Sequence, residues 1–173
     1  YSPLNPDQLR LVALQPGHKH DSIECKIECA TFKFAKEKYK YKALSYMWGS
    51  PDKLRPISIN GDTFHVRENL WWALYHLRST GYVVMLWIDA LCINQADIDE
   101  RNSQVRQMDR IYTDAEEVII WVGRESSKDK NALKYLQEIF KKGRIPDSFN
   151  PEISIFCMRP YWTRLWIVQE AVL

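Results

Sequence analysis

Asp89, Cys92, Asn94 and Gln95 stand in a row directly after the apolar run Val83–Ile88 (VVMLWI). A carboxylate, a thiol and two carboxamides can hold a polar ligand or move a proton. Two other apolar runs end in a similar way. Lys42–Tyr46 (KALSY) leads into Trp48 and Gly49, and Val118–Val122 (VIIWV) leads into Gly123 and Arg124. Because VVMLWI has no polar position, it predicts a strand buried on both faces, the pattern of a parallel sheet. In open α/β sheets ligands bind outside the carboxyl ends of the strands. Three such ends predict a crevice at one edge of the sheet, with Ser45, Trp48, Gly49, Asp89 and Cys92 as its polar and aromatic lining.

The elements that must position these residues alternate along the chain. Residues 1–20 read as an irregular lead-in. Ile23–Phe34 and Tyr39–Tyr46 read as two strands of a hairpin, joined by a charged turn around Ala35–Lys38 and carrying a solvated lysine face. Ile57–Val66 is a second hairpin that turns at Asn60-Gly61. Asn69–Arg78 has the inward stripe Leu70, Ala73, Leu74 and Leu77 of a helix. Asp97, with Glu100 three residues on, resembles a capping box that opens a helix to about Thr113. A strand at 118–122 follows, then a helix near Lys130–Lys142, a loop over Gly143–Pro151, and a helical stretch to Leu173 broken near Pro160. This alternation predicts an α/β fold, with helices 69–79 and 99–113 packed on a parallel sheet.

Two helices carry polar residues where apolar ones are expected. Laid out at 100° per residue, Ile98, Val105, Met108, Ile111, Tyr112 and Ala115 share an arc that also contains Arg101 and Gln104. A buried Arg needs a partner, so Arg101 is expected to touch a carboxylate, Asp89 or Glu170, or else to aim its guanidinium at a ligand carboxylate or phosphate. In the last helix Tyr161, Trp162, Leu165, Trp166, Val168, Val172 and Leu173 form the apolar arc, and Glu170 borders it one turn after Trp166. A carboxylate against an indole is partly desolvated, which suits it to act as an acid, a base or a stabiliser of positive charge; an ordinary solvated helical Glu is the alternative.

Composition narrows the classes. The chain has 173 residues, 46% hydrophobic and 27% charged, which suits one domain with a real core. A net charge of +2 gives no case for nucleic acid or an anionic membrane. No stretch is long and apolar enough for a membrane span. Beginning at Tyr1 and stopping within an apolar pattern, the chain reads as a domain of a longer protein. The four cysteines, Cys25, Cys29, Cys92 and Cys157, fit free thiols in a reducing compartment, hence the cytoplasm. Ile23, Cys25, Ile27 and Cys29 alternate with charged residues, the pattern of a half-buried strand with its thiols inward rather than of a zinc site. Cys92 with His65 or His76 would make a Cys–His hydrolase, although no motif orders those residues. Only six glycines are present and neither GxGxxG nor a Walker A motif occurs, which argues against a Rossmann dehydrogenase or a P-loop nucleotidase.

The succession ALSYMWG (Ala43–Gly49), LWIDALCINQ (Leu86–Gln95), ERNSQVRQMDRIY (Glu100–Tyr112), VIIWVG (Val118–Gly123) and RPYWTRLWIVQEAVL (Arg159–Leu173) closely resembles the fungal heterokaryon incompatibility (HET) domain. On that resemblance residues 1–173 form a single HET domain, in which 1–40 are an N-terminal segment and 41–173 the motif-bearing core. The family acts in self/non-self recognition and regulated cell death. It is considered a remote relative of TIR domains, which implies a TIR-like, flavodoxin-like three-layer fold with a mainly parallel central sheet and N-terminal hairpin additions. Many TIR domains cleave NAD+ at the nicotinamide–ribose bond with a Glu four residues after a Trp. Here Trp166 and Glu170 have that spacing, with Ile167 where the family pattern has Cys. The resemblance thus implies an NAD+ glycohydrolase with Glu170 as catalytic carboxylate and NAD+, or a related nucleotide, as substrate rather than cofactor. Trp48, Trp162 and Trp166 would then wall the site, and Arg101 or Arg164 would meet phosphate. It also implies homo-oligomerisation on activation and sensor domains in the same or another chain. A non-enzymatic module that signals by self-assembly or partner binding remains the alternative.

Overall fold

The computed structural model describes residues 1–125, 127–142 and 151–163. Its elements are β1 (Gln8–Leu14), β2 (Glu24–Thr31), a helical turn α1 (Phe32–Phe34) that widens over Ala35–Tyr39, β3 (Lys42–Tyr46), β4 (Leu54–Ile59), β5 (Asp62–Arg67), α2 (Glu68–Leu77), β6 (Val84–Trp87), α3 (Asp89–Cys92), α4 (Ile98–Val105), α5 (Met108–Thr113), β7 (Glu117–Trp121), α6 (Ser127–Lys142), α7 (Pro151–Cys157) and a tight 3-10 turn at Pro160–Thr163. Among the described residues the strands form one seven-stranded sheet in the order β5-β4-β2-β1-β6-β3-β7.

β3 runs parallel to β6 and to β7, so the three polar-tipped strands do lie side by side with their carboxyl ends together. The rest of the sheet corrects the expectation of mainly parallel order. β1 is antiparallel to both β2 and β6, β4 is antiparallel to β5, and β2 meets β4 in parallel only at Glu24–Cys25. The cause is a strand inside the supposed lead-in. Leu9, Leu11, Val12, Ala13 and Leu14 are buried on both faces of β1, which therefore takes an interior place between β2 and β6.

The first expected hairpin does not form. Thr31 Oγ1 accepts the Phe34 N–H at 3.3 Å, caps a helical turn that buries Phe32 and Ala35, and diverts the chain before Tyr39. β2 pairs instead along β1, from Thr31 opposite Gln8 to Cys25 opposite Leu14, while β3 lies at the far side of the sheet. Cys25 is buried as expected, but Cys29 is exposed, because β4 has already turned away at Asn60 and leaves that part of β2 uncovered. The second hairpin forms as expected. Asn60 (φ 54°) and Gly61 (φ 92°) supply the two left-handed residues that a twisted two-residue turn requires.

Helices cover both faces of the parallel block. Ala43 lies beside Trp87, which meets Tyr112 of α5 edge to face at 5.6 Å. Tyr46 lies beside Trp121, whose indole N–H donates to Asn69 of α2 at 3.0 Å. Ala43 and Tyr46 are three residues apart on one strand and so point to opposite faces. β6 is interior, with Leu86, Trp87 and Ile88 fully buried; its first turns are wetter than expected, Val83 being 43% exposed. The single helix expected over 98–113 is broken at Arg106-Gln107 into α4 and α5.

Candidate functional site

Each parallel strand ends in a residue that the next loop ties down. After β3, Trp48 donates its indole N–H to Asp89 Oδ2 at 2.8 Å, joining the loop after β3 to the loop after β6. Asp89 Oδ1 accepts the Ala90 N–H at 2.7 Å and so fixes the start of α3. Gln95 donates to the Asp89 carbonyl at 3.0 Å and closes that loop on itself. Arg67, from the end of β5, donates to the Gly49 carbonyl at 2.7 Å while its guanidinium lies 5.1 Å from the Trp48 ring. Gly49 has φ +80°, a conformation that disfavours a side chain, and its Cα faces Asn69 so closely that a Cβ would come within 3.2 Å.

Asn69 is the hinge of the arrangement. Its Nδ2 donates to the Met47 carbonyl at 2.5 Å and its Oδ1 accepts from Trp121 Nε1, so one side chain on the first turn of α2 holds the ends of β3 and β7 together. Beyond β7, Arg159 donates to the Val122 carbonyl at 2.8 Å and to the Arg124 carbonyl at 3.2 Å, and pairs with the buried Asp129 of α6. Ser45 and Tyr161 share a hydrogen bond of 2.5 Å between fully buried hydroxyls. The helical turn at 160–163 is thereby tied to the floor of β3.

Two hollows flank the Trp48–Gly49–Ser50 loop. One, of about 200 Å³, is mostly apolar and includes Tyr46, Trp48, Phe64, Arg67, Leu70 and Leu91 in its walls. The other, of about 230 Å³, carries two cationic residues in its wall and is lined by Gly49, Ser50, Lys53, Glu68, Asn69, Trp72 and Arg124. A ligand seated at the strand ends can thus meet an apolar wall on one side of this loop and cations on the other. The profile of the heterokaryon incompatibility protein (HET) family matches residues 41–170, from the last residue before β3 through all three strand ends.

The chain belongs to the HET family. This HET domain is 32% identical over 145 residues to heterokaryon incompatibility protein 6, OR allele, of Neurospora crassa; the match covers 76% of the chain and 21% of that protein. The chain therefore spans about a fifth of the length of its curated relative. No solved structure matches it.

Of the residues expected at the site, the HET domain brings Trp48, Gly49 and Asp89 together at the strand ends, with Ser45 in the floor beneath them. Cys92 lies near them in sequence but is fully buried. The Ile88 N–H donates to its sulfur at 3.3 Å, and burial pushes its thiol up to about 12. Such a thiol is a poor nucleophile, which removes the Cys–His hydrolase reading, and His65 and His76 are both exposed. Trp162 is 38% exposed and spends its indole N–H on the Phe156 carbonyl at 3.0 Å. Arg164, Trp166 and Glu170 lie outside the described residues.

Arg101 is corrected outright. It is exposed on α4 and makes no ion pair among the described residues. The inward positions of α4 are Glu100 and Gln104, one turn apart, while Ile98, used to set the phase of the arc, is 62% exposed. The buried arginine of the HET domain is Arg10 of β1. It grips Glu100 through both guanidinium nitrogens, at 2.5 and 2.9 Å, and donates to the Cys92 carbonyl at 3.0 Å. Glu100 Oε1 also accepts the Asn94 N–H at 2.7 Å, so this pair clamps the loop that begins at Asp89. The expected capping box is half formed: Asp97 accepts from the Asp99 and Glu100 N–H groups, but the Glu100 side chain turns to Arg10. Sequence reasoning missed Arg10 because a lone Arg in an apolar run, LRLVAL, has no local partner to mark it. Asn69 and Tyr161 left no signal beyond their positions in motif-rich segments.

Proposed function

We propose that this HET domain is the death-triggering element of a fungal self/non-self recognition protein, and that it acts by cleaving NAD+. Membership of the HET family and the likeness to a protein named for heterokaryon incompatibility support the first half. Because the chain spans a fifth of that relative, recognition is assigned to sensor regions of the same or another chain, and activation to assembly of several copies. The observation that carries the second half is the meeting of three parallel strand ends at a loop with an apolar hollow on one side and a cationic hollow on the other. A dinucleotide needs both.

In the reaction the bond between ribose C1′ and the nicotinamide nitrogen breaks, the electron pair leaving with nicotinamide. Water bonds to C1′ and loses a proton, giving ADP-ribose. Positive charge builds on the ribose, so a carboxylate beside it contributes most. Glu170 is assigned that role, with Trp48, Trp162 and Trp166 as walls, Arg164 toward phosphate, NAD+ as substrate, and the cytoplasm as the place of action.

The test is nicotinamide release at high protein concentration or in a fusion to an oligomerising partner. Glu170→Gln should lower turnover by about 10²–10⁴-fold while leaving the fold intact. One observation favours a second reading, signalling by assembly without catalysis: the crevice side chains of Ser45, Trp48 and Asn69 already bond to the protein itself. Equal nicotinamide release by wild type and Glu170→Gln would take the catalytic role from Glu170, and no release by either while both kill cells would establish the second reading instead.

A further inference from the structure

Trp72 sits among cations that enter no ion pair among the described residues. The Arg124 guanidinium lies 4.1 Å from the Trp72 ring centre and that of Arg55 lies 5.2 Å from it, Arg55 being also 4.1 Å from Trp71. Among the described residues, Arg55, Arg124 and Lys53 enter no ion pair, and they share this property with other cations but lie together around one indole pair and one hollow. Two buried donors adjoin this cluster, Arg55 Nη1 and Trp72 Nε1, neither with an acceptor among the described residues. The buried donors add positive potential behind the cluster, and the exposed Lys53 and Arg124 are the groups that can meet an external anion directly.

Beside them is a hollow of about 230 Å³ lined by Lys53, Arg124 and Trp72 with Ser50 and Gly49. One carboxylate shares its wall, that of Glu68, leaving the cations in excess. The first turn of α2 borders the same hollow, and no side chain caps it: Arg67 occupies the cap position without a capping bond. Its partial positive charge adds to that of the cations. A hollow of this size and charge suits a compact, multiply charged oxyanion; guanidinium groups already lie over the Trp72 indole, which leaves little room for a base to stack.

We propose that Lys53 and Arg124, with Arg55 behind Trp72, form a phosphoryl-binding subsite for a diphosphate group. The subsite deepens the NAD+ reading by giving the dinucleotide's diphosphate a place on the far side of the Trp48–Ser50 loop from the apolar hollow. It replaces Arg101, which faces solvent. It stands on geometry that does not depend on turnover, so the two readings fail separately.

The experiment is titration of the intact domain at low salt with inorganic pyrophosphate and with ADP, read by calorimetry and by tryptophan fluorescence. Arg124→Gln and Lys53→Gln should each weaken pyrophosphate binding roughly tenfold or more, the share of one charge-assisted contact. Glu68→Gln should tighten it by removing the opposing charge, and Arg101→Gln should leave it unchanged. Glu68→Gln guards against loss of fold as the explanation, because a damaged domain does not bind more tightly. ADP binding tighter than pyrophosphate, with the same sensitivity to Arg124→Gln, identifies a nucleotide as the source of the phosphoryl group; equal affinity identifies the free diphosphate. Absence of pyrophosphate binding, or binding indifferent to both substitutions, overturns the subsite. Pyrophosphate binding without nicotinamide release keeps the subsite and removes the glycohydrolase. Nicotinamide release indifferent to Arg124→Gln and Lys53→Gln does the reverse.

Discussion

At the β3–β7 end of the sheet the polar contacts are mostly made by neutral donors over short loops: Asn69 to Met47 and Trp121, Trp48 to Asp89, Ser45 to Tyr161. At the β1 end the polar contact is a full charge pair, Arg10 with Glu100, joined across 90 residues of sequence, with Arg10 1% and Glu100 8% exposed. The first cluster lies wholly within the region matched by the family profile; the second takes its cation from outside it. Yet both hold the same crevice, since the charge pair fixes Cys92 and Asn94 just beyond Asp89. Neutral networks lose one bond at a time, whereas half of a buried ion pair strands the other half. The crevice should therefore be more sensitive to its distant support than to its own side chains.

The largest expected effect is at Arg10. Arg10→Met leaves the Glu100 carboxylate buried without its cation and should destabilise by about 3–5 kcal/mol, measured as the shift of the urea midpoint. A double change, Arg10→Met with Glu100→Leu, removes both charges and should recover most of that loss, which would separate stranded charge from lost packing. The pair also sets an acid limit. The Arg10 guanidinium, through its hydrogen bond, holds the Glu100 carboxyl below the usual carboxylate range, outweighing the opposite effect of burial. A carboxyl depressed in the folded state contributes its stability above its unfolded value and loses it as pH falls through the folded one. Wild type should therefore lose stability on acidification below the ordinary carboxylate range, and Glu100→Gln should be less stable at neutral pH with a flatter acid limb.

Asn69 comes next. Asn69→Ala removes two hydrogen bonds and leaves the Met47 carbonyl and the Trp121 indole N–H without them. A cost of about 1–3 kcal/mol follows, below that of Arg10→Met because no charge is stranded. Thermal melts of the two variants under the same conditions check the order. A larger loss at Asn69 than at Arg10 would invert the comparison between the clusters.

What could be read from the sequence follows the same division. The strand ends at Tyr46, Trp87 and Trp121, the Asn60-Gly61 turn and the α2 helix were legible because each is specified by its own segment: an apolar run, a turn dipeptide, a helical stripe. That Trp48, Gly49 and Asp89 gather at the strand ends was legible for that reason too. What failed depends on partners far along the chain. Phe32, Phe34, Tyr39 and Tyr41 alternate like a strand, and only the Thr31 cap and the burial of Ala35 turn part of that segment helical. β1 was hidden because its buried Arg10 has no neighbour in sequence to explain it. The helix after Asp97 was given the wrong phase because its arc was drawn through the break at Arg106-Gln107, which rotated the inward polar residue from Glu100 to Arg101.

That one-residue rotation yields the smallest expected effect and the cleanest contrast with the largest. Arg101 and Arg10 are the same residue type, and both lie close to Glu100, one by sequence and one in space. Arg101 is exposed, with no ion pair among the described residues, whereas Arg10 bonds to Glu100, Cys92 and Ser2. Removing a solvated guanidinium exposes no buried acceptor and opens no cavity, so Arg101→Ala should move the urea midpoint by no more than about 0.5 kcal/mol equivalent. Alanine also suits the interior of α4, which offsets part of any packing lost from the arginine stem. The two arginine variants measured side by side place the buried charge on one strand or one helix. If Arg101→Ala costs several kcal/mol and Arg10→Met costs little, the inward face of α4 is the one set by Ile98, and the clamp on the Asp89 loop is not the one described.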